Sequence, residues 1–149
     1  MKRVFPLVLM LACLCLAGGA EETQFQGWVY FEEGDPSPYI QTITDRAALD
    51  EFRGRIPEYR PTKKKPAPTN DDPLRTREID LGGQTLVVVS RNQTISAHPE
   101  FVGQEEAMSE TLLKFRLPEP PPEARPYGWG TYRAILVPSG KQYRIVIVE

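Results

Sequence analysis

The chain has 149 residues, with 18 lysines and arginines against 20 aspartates and glutamates, two cysteines and a single histidine. One histidine excludes any intrachain ligand set that needs two imidazoles. A formal charge of −2 gives no basis for the phosphate neutralisation on which nucleic-acid binding rests.

The first segment, "MKRVFPLVLMLACLCLAGGA", sets Lys2 and Arg3 before an apolar run from Val4 to Ala17 and small residues from Gly18 to Ala20. That pattern predicts an export signal over 1–20, cleaved after Ala20. The run falls short of the ~20 apolar residues of a membrane-spanning helix, and nothing later approaches that length, so no membrane span is expected. The expected location is secreted or periplasmic. A lipid anchor at Cys13 is the competing reading, since "MLAC" loosely resembles a bacterial lipoprotein box, but Met10 and Leu11 fit it poorly.

Both cysteines, Cys13 and Cys15, leave with this segment. Disulfides, thiolate nucleophiles and cysteine-bound metals are thereby excluded from residues 21–149. Loss of Lys2 and Arg3 leaves 16 basic against 20 acidic residues, a formal charge of −4. The 129 residues that remain suit one domain held by its apolar core.

"WVYFEE" (28–33) and "YIQTIT" (39–44) alternate around the turn-forming "GDPSP", which predicts a hairpin. Asp45 or Thr44 then caps a helix, because Ala48, Leu49, Phe52 and Ile56 recur at helical spacing before Pro57. Residues 57–76 read as a mobile proline-rich loop, with Pro57, Pro61, Pro66, Pro68 and Pro73 around Lys63-Lys64-Lys65. Gly82-Gly83 separates "REIDL" from "QTLVVVS", predicting a second hairpin with Ile79, Leu81, Leu86 and Val88 on one side.

Periodicity leaves residues 104–112 open between helix and strand; the reading preferred is a helical turn near Gln104–Met108 and then a strand containing Leu113, Phe115 and Leu117. "PEPPPEARP" runs extended. The last stretch, "GTYRAILVPSGKQYRIVIVE", turns at Pro138-Ser139-Gly140 and predicts a closing hairpin in which Tyr132, Ala134 and Leu136 face Tyr143, Ile145 and Ile147. The fold class expected is α+β: a small antiparallel sheet of about five to seven strands with one amphipathic helix on a face, as a single domain over 21–149.

Chemistry-bearing residues are few. His98 precedes Pro99 and reads as an exposed loop residue; Asp71-Asp72 and Glu105-Glu106 read as solvated surface. "PSGK" at 138–141 lacks the earlier glycine of a phosphate loop, since Ile135 stands there. Asn92-Gln93-Thr94 is a glycosylation acceptor only in a host that modifies exported chains. Scattered carboxylates are the sole basis for an enzymatic alternative. No catalytic residue, metal or cofactor is expected. Arg125, Tyr127 and Trp129 are instead candidate partner-binding residues, because arginine and aromatics dominate interface hot spots.

The order "YIQTITDRAALDEF", "REIDLGGQTLVVVSR", "TLLKFRLPEPP" and "GTYRAILVPSGKQYRIVIVE" resembles the C-terminal domain family of the protease-complex subunit PrcB. The likeness rests on the leading helix, the acid before an apolar residue at Asp80-Leu81, the valine-rich strand and the Val137-Pro138 pair. It departs from the family pattern at "NQTISAHPEFVGQEE", where members carry a glycine-tyrosine element and a further strand. The resemblance implies a secreted or envelope-attached accessory domain that holds a protein partner, a protease being one such partner, without catalysis of its own. The alternative is a glycan-binding module in which Trp129, Tyr127 and Trp28 stack on sugar rings.

Overall fold

The computed structural model describes residues 23–60, 67–68, 71–92, 97–119 and 128–149. Residues 1–22, with the segment read as an export signal and Cys13, the Lys63–Lys65 run, Gln93 and Thr94 of the glycosylation sequon, and residues 120–127 of the proline-rich stretch with Arg125 and Tyr127 lie outside these residues.

Four strands form the first sheet in the order β1 (Gln24–Tyr30), β8 (Trp129–Pro138), β5 (Gln84–Asn92) and β2 (Tyr39–Ile43), each antiparallel to its neighbours. Three more form the second: β6 (Glu100–Glu106), β7 (Thr111–Arg116) and β9 (Tyr143–Val148), with β7 and β9 parallel. The helices are α1 (Arg46–Gly54) and the single turn α2 (Pro73–Thr76). Tyr59–Arg60 (β3) and Ala67–Pro68 (β4) make a two-residue ribbon. The chain is thus mostly β. The amphipathic helix packs on a sheet as expected, but the strands divide between two sheets instead of forming one.

The α1 prediction carries over closely. The Asp45 side chain accepts from the Ala48 N–H at 2.9 Å, and Leu49 and Phe52 are fully buried. With Ile56, Leu74 and Ile79 they cover one face of the first sheet, formed by Phe25, Val29, Ile43, Leu86, Val88, Tyr132 and Ala134. The face set read from the Gly82-Gly83 region also holds, since Ile79, Leu86 and Val88 share this core and Leu81 packs against it. Its hairpin does not form. Residues 77–81 pair with no strand, and β5 lies between β8 and β2.

The opposite face of the same sheet presents Val87, Val89, Ile135 and Val137, which meet Leu113 and Phe115 of the second sheet in a separate core. Burial on both faces explains why "LVVV" shows no alternation: polar residues have no face to occupy.

Neither remaining hairpin forms. A strand has two edges, and those of β8 are taken by β1 and β5. The turn at Ser139-Gly140 therefore delivers β9 to the second sheet, beside β7. Tyr132 and Ala134 lie in the first core with Leu136 packed on it, whereas Tyr143 and Ile145 pack on the second, and Ile147 is 38% exposed. Likewise β1 and β2 sit at opposite edges of the first sheet. The expected helical turn at 104–108 is also absent. Gln104 to Glu106 continue β6, and Ala107 N–H donates to Glu110 O at 2.8 Å in the turn to β7.

The second core rests on few large side chains. Phe115→Ala, at a fully buried position, is expected to cost about 3–5 kcal/mol in urea unfolding, with the Phe101 ring 5.3 Å away losing its partner. A loss under about 1 kcal/mol would contradict this packing.

Candidate functional site

Two hydrogen bonds at the ends of the β1–β8 pairing fix which backbone groups of β1 face away from β8. Leu136 N–H donates to Thr23 O at 2.8 Å and Phe31 N–H to Gly128 O at 2.7 Å. The register is constant between them. In an antiparallel ladder these groups alternate in direction, so Phe25, Gly27 and Val29 bond β8 while Gln24, Gln26, Trp28 and Tyr30 point their backbone outward. Tyr30 confirms the parity: its N–H donates to Arg55 O at 2.7 Å, and its carbonyl accepts from Arg55 Nε at 3.0 Å. Arg55 is held there by an ion pair with Asp35 and by the Tyr39 ring, 4.5 Å away. Arginine thus closes the edge at Tyr30, and among the described residues no strand pairs with Gln26 or Trp28.

Trp129 is the one predicted binding residue that the structure places. It stands opposite Tyr30, with ring centroids 5.1 Å apart at 68°. Trp28, two residues along β1, shares that face of the sheet. Trp28 and Trp129 are half-buried, and Tyr30 is 44% exposed. Gly130 lets the strands close here, since a Cβ at that position would lie 2.1 Å from Arg91 O. Arg125 and Tyr127 lie outside the described residues.

Beside this aromatic group, a cleft of about 150 Å³ follows this edge, lined by Gln26, Gly27, Trp28, Asp71, Asp72, Pro73 and His98. Its base is Asp72, only 5% exposed, where a solvated residue was expected. Asp72 caps α2, its Oδ1 accepting from the Leu74 N–H at 3.0 Å and from the Tyr132 hydroxyl at 2.7 Å. Gly27 admits this arrangement, because a Cβ there would fall 1.9 Å from Asp72 Oδ2. Burial raises the Asp72 carboxyl above the usual range, against the hydrogen bonds from Tyr132, Leu74 and Arg75. Burial, and then the Asp72 charge, push the Tyr132 hydroxyl upward too.

His98 also departs from expectation: it is half-buried and forms part of the cleft wall. Thr131 Oγ1 donates to Ala97 O at 2.7 Å and Arg133 Nε to Pro99 O at 2.9 Å, tying residues 97–99 across β8. Glu105 and Glu106 are exposed as expected, beside Lys114 and Lys141. Among the described residues no cluster of three His, Cys, Asp or Glu could hold a metal. Those lining the cleft include no serine, threonine, cysteine or lysine to act as nucleophile.

No family model, curated protein or solved structure matches this chain.

Asp72 had a readable signal, an aspartate before a proline at the first position of a helical turn. Its partner Tyr132, 60 residues on, had none. Because the folded-state pKa is raised, the stability that Asp72 contributes is full below the ordinary carboxylate pKa and is lost as pH rises through the raised value. Asp72→Asn keeps the acceptor and removes the titration. Relative to wild type it should gain stability as pH rises above the ordinary carboxylate value in urea unfolding; a pH-independent difference would contradict the burial. Asp72→Ala, which leaves the Tyr132 hydroxyl and the Leu74 amide without this acceptor, should cost about 2 kcal/mol or more.

Proposed function

We propose that the protein is an exported, non-enzymatic accessory domain that binds a protein partner at the β1–β8 end of its first sheet. The observation that carries the reading is the gathering of Trp28, Tyr30 and Trp129 on one sheet face beside an edge of β1 that pairs with no strand among the described residues. Aromatic side chains on a rigid strand supply large contact area at low entropic cost, and the β1 edge supplies backbone donors and acceptors. The resemblance to the PrcB C-terminal family points the same way, and an envelope or secreted protease is the partner class it implies.

Tyr30 meets Trp129 edge-on, at 68°. Two rings so disposed offer no continuous flat platform, which favours a protein partner over a sugar ring. Export and the absence of catalysis belong to this proposal, with the signal-like residues 1–20 and the lack of a nucleophile among the described residues of the cleft as their support.

Trp129→Ala should reduce retention of the partner from a native envelope extract at least about tenfold, roughly 1.4 kcal/mol, with the unfolding midpoint measured alongside as a control for folding. Retention of a polysaccharide that Trp129→Ala abolishes, with no protein retained by the wild type, would replace this reading with the glycan one.

A further inference from the structure

The turn between β6 and β7 carries Met108, which is fully exposed (109%). A methionine usually fills gaps in a core; this one belongs to neither core. The turn is fastened by groups other than its side chain. Ala107 N–H donates to Glu110 O and Thr111 N–H to Gln142 O, both at 2.8 Å. Thr111 Oγ1 donates to Glu106 Oε2 at 3.0 Å, Lys141 pairs with Glu106 at 3.3 Å and Arg144 with Glu110 at 3.0 Å. Met108 thus borders a hollow of about 320 Å³ in which Glu106, Glu110, Lys141 and Gln142 supply polar walls.

Sequence and exposure together single this thioether out. Met108 is the only methionine of residues 21–149, and both cysteines lie in residues 1–20, so within 21–149 no thiol competes with it for an oxidant. Trp28 and Trp129 are half-buried. We infer that Met108 is a modification site: hydrogen peroxide converts its thioether to the sulfoxide on the folded protein, and the fold tolerates the product. The sulfur lone pair attacks one peroxide oxygen, and the S–O bond forms as the O–O bond breaks. The departing hydroxide takes the proton of the new S–OH group and leaves as water. Sulfur loses two electrons and the peroxide gains them. Full exposure supplies the solvent through which that proton passes.

Two consequences separate this site from a methionine that packs. A sulfoxide is polar and chiral, so it disrupts a core; at this turn it stays in water, and stability is unchanged. With the side chain fully exposed neither lone pair of the sulfur is shielded, so both sulfoxide epimers form in comparable amounts. Each is returned to the thioether by its own class of methionine sulfoxide reductase. The site is also remote from the aromatic group. Met108 shares its hollow with Gly140, Lys141 and Gln142, just after β8, whereas Trp129 begins that ten-residue strand, about 30 Å away at ~3.3 Å per residue.

The test exposes the purified protein to hydrogen peroxide beside N-acetylmethionine amide, a fully solvated reference. The tryptic peptide 92–114 should gain one oxygen at a rate within about threefold of the reference, as two epimers of similar abundance on chromatography. The urea midpoint and the tryptophan emission should not move. Met108→Leu should abolish oxygen uptake within residues 21–149. A slower rate, acceleration by urea below the unfolding transition, or one epimer in large excess would show the thioether shielded and overturn the inference. A fall in the urea midpoint on oxidation would show that the fold depends on the thioether and overturn it as well. So would oxygen uptake at Trp28 or Trp129 ahead of Met108.

Discussion

The structure depends on β8 being occupied on all four sides. Its even-numbered backbone groups bond β1 and its odd-numbered ones β5, a parity fixed by the Leu136–Thr23 and Ser139–Gly83 hydrogen bonds. Its side chains alternate between the two cores, Tyr132 and Ala134 in the first and Ile135 and Val137 in the second. A strand engaged in this way cannot accept the segment that follows it. The second sheet is the result: β9 finds an edge on β7, and the pair folds over the face that carries Ile135 and Val137. Two layers of side chains, one under α1 and one under β7, are thereby fastened to the two inner strands, β8 and β5.

The same strand positions the candidate site. The Tyr132 hydroxyl reaches past Gly27 to Asp72 and so anchors α2 under β1, where Asp72 would otherwise be solvated. On the other face, Thr131 and Arg133 hold residues 97–99, which carry His98 to the cleft. Trp129, at the start of β8, braces Tyr30. The cleft and the aromatic group are thus two consequences of one strand's alternation, with polar anchors above and below β1. Arg55 satisfies the backbone of Tyr30, and among the described residues no strand lies alongside Gln26 and Trp28, so the edge has a defined end.

Much of the fold was legible in the sequence as elements and faces. Asp45, Leu49 and Phe52 announced α1, Leu113 and Phe115 announced β7, and the first-core residues Leu86 and Val88 of β5 and Tyr132 and Ala134 of β8 followed from the two-residue period of a strand. Neighbours were not legible. A period of two says which side chains share a face but not which strand lies alongside, and a turn such as Pro138–Gly140 serves a sheet-to-sheet connection as well as a hairpin. The site was legible only in part, through Trp129. Asp72 and His98 look like loop residues because the groups that bury them, Tyr132, Thr131 and Arg133, lie more than 30 residues away in the chain. Long-range hydrogen bonds leave no local pattern to read.

Native-state hydrogen exchange along β1 tests the central arrangement most directly, since one strand reports both the side bonded to β8 and the side facing away from it. Slow exchange at Phe25, Gly27 and Val29, with fast exchange at Gln26 and Trp28 and renewed protection at Tyr30, is the pattern that pairing with β8 and closure by Arg55 require. Protection of Gln26 and Trp28 as strong as that of Gly27 would show the edge already covered, and uniform fast exchange along the strand would show that β1 does not pair with β8 at all.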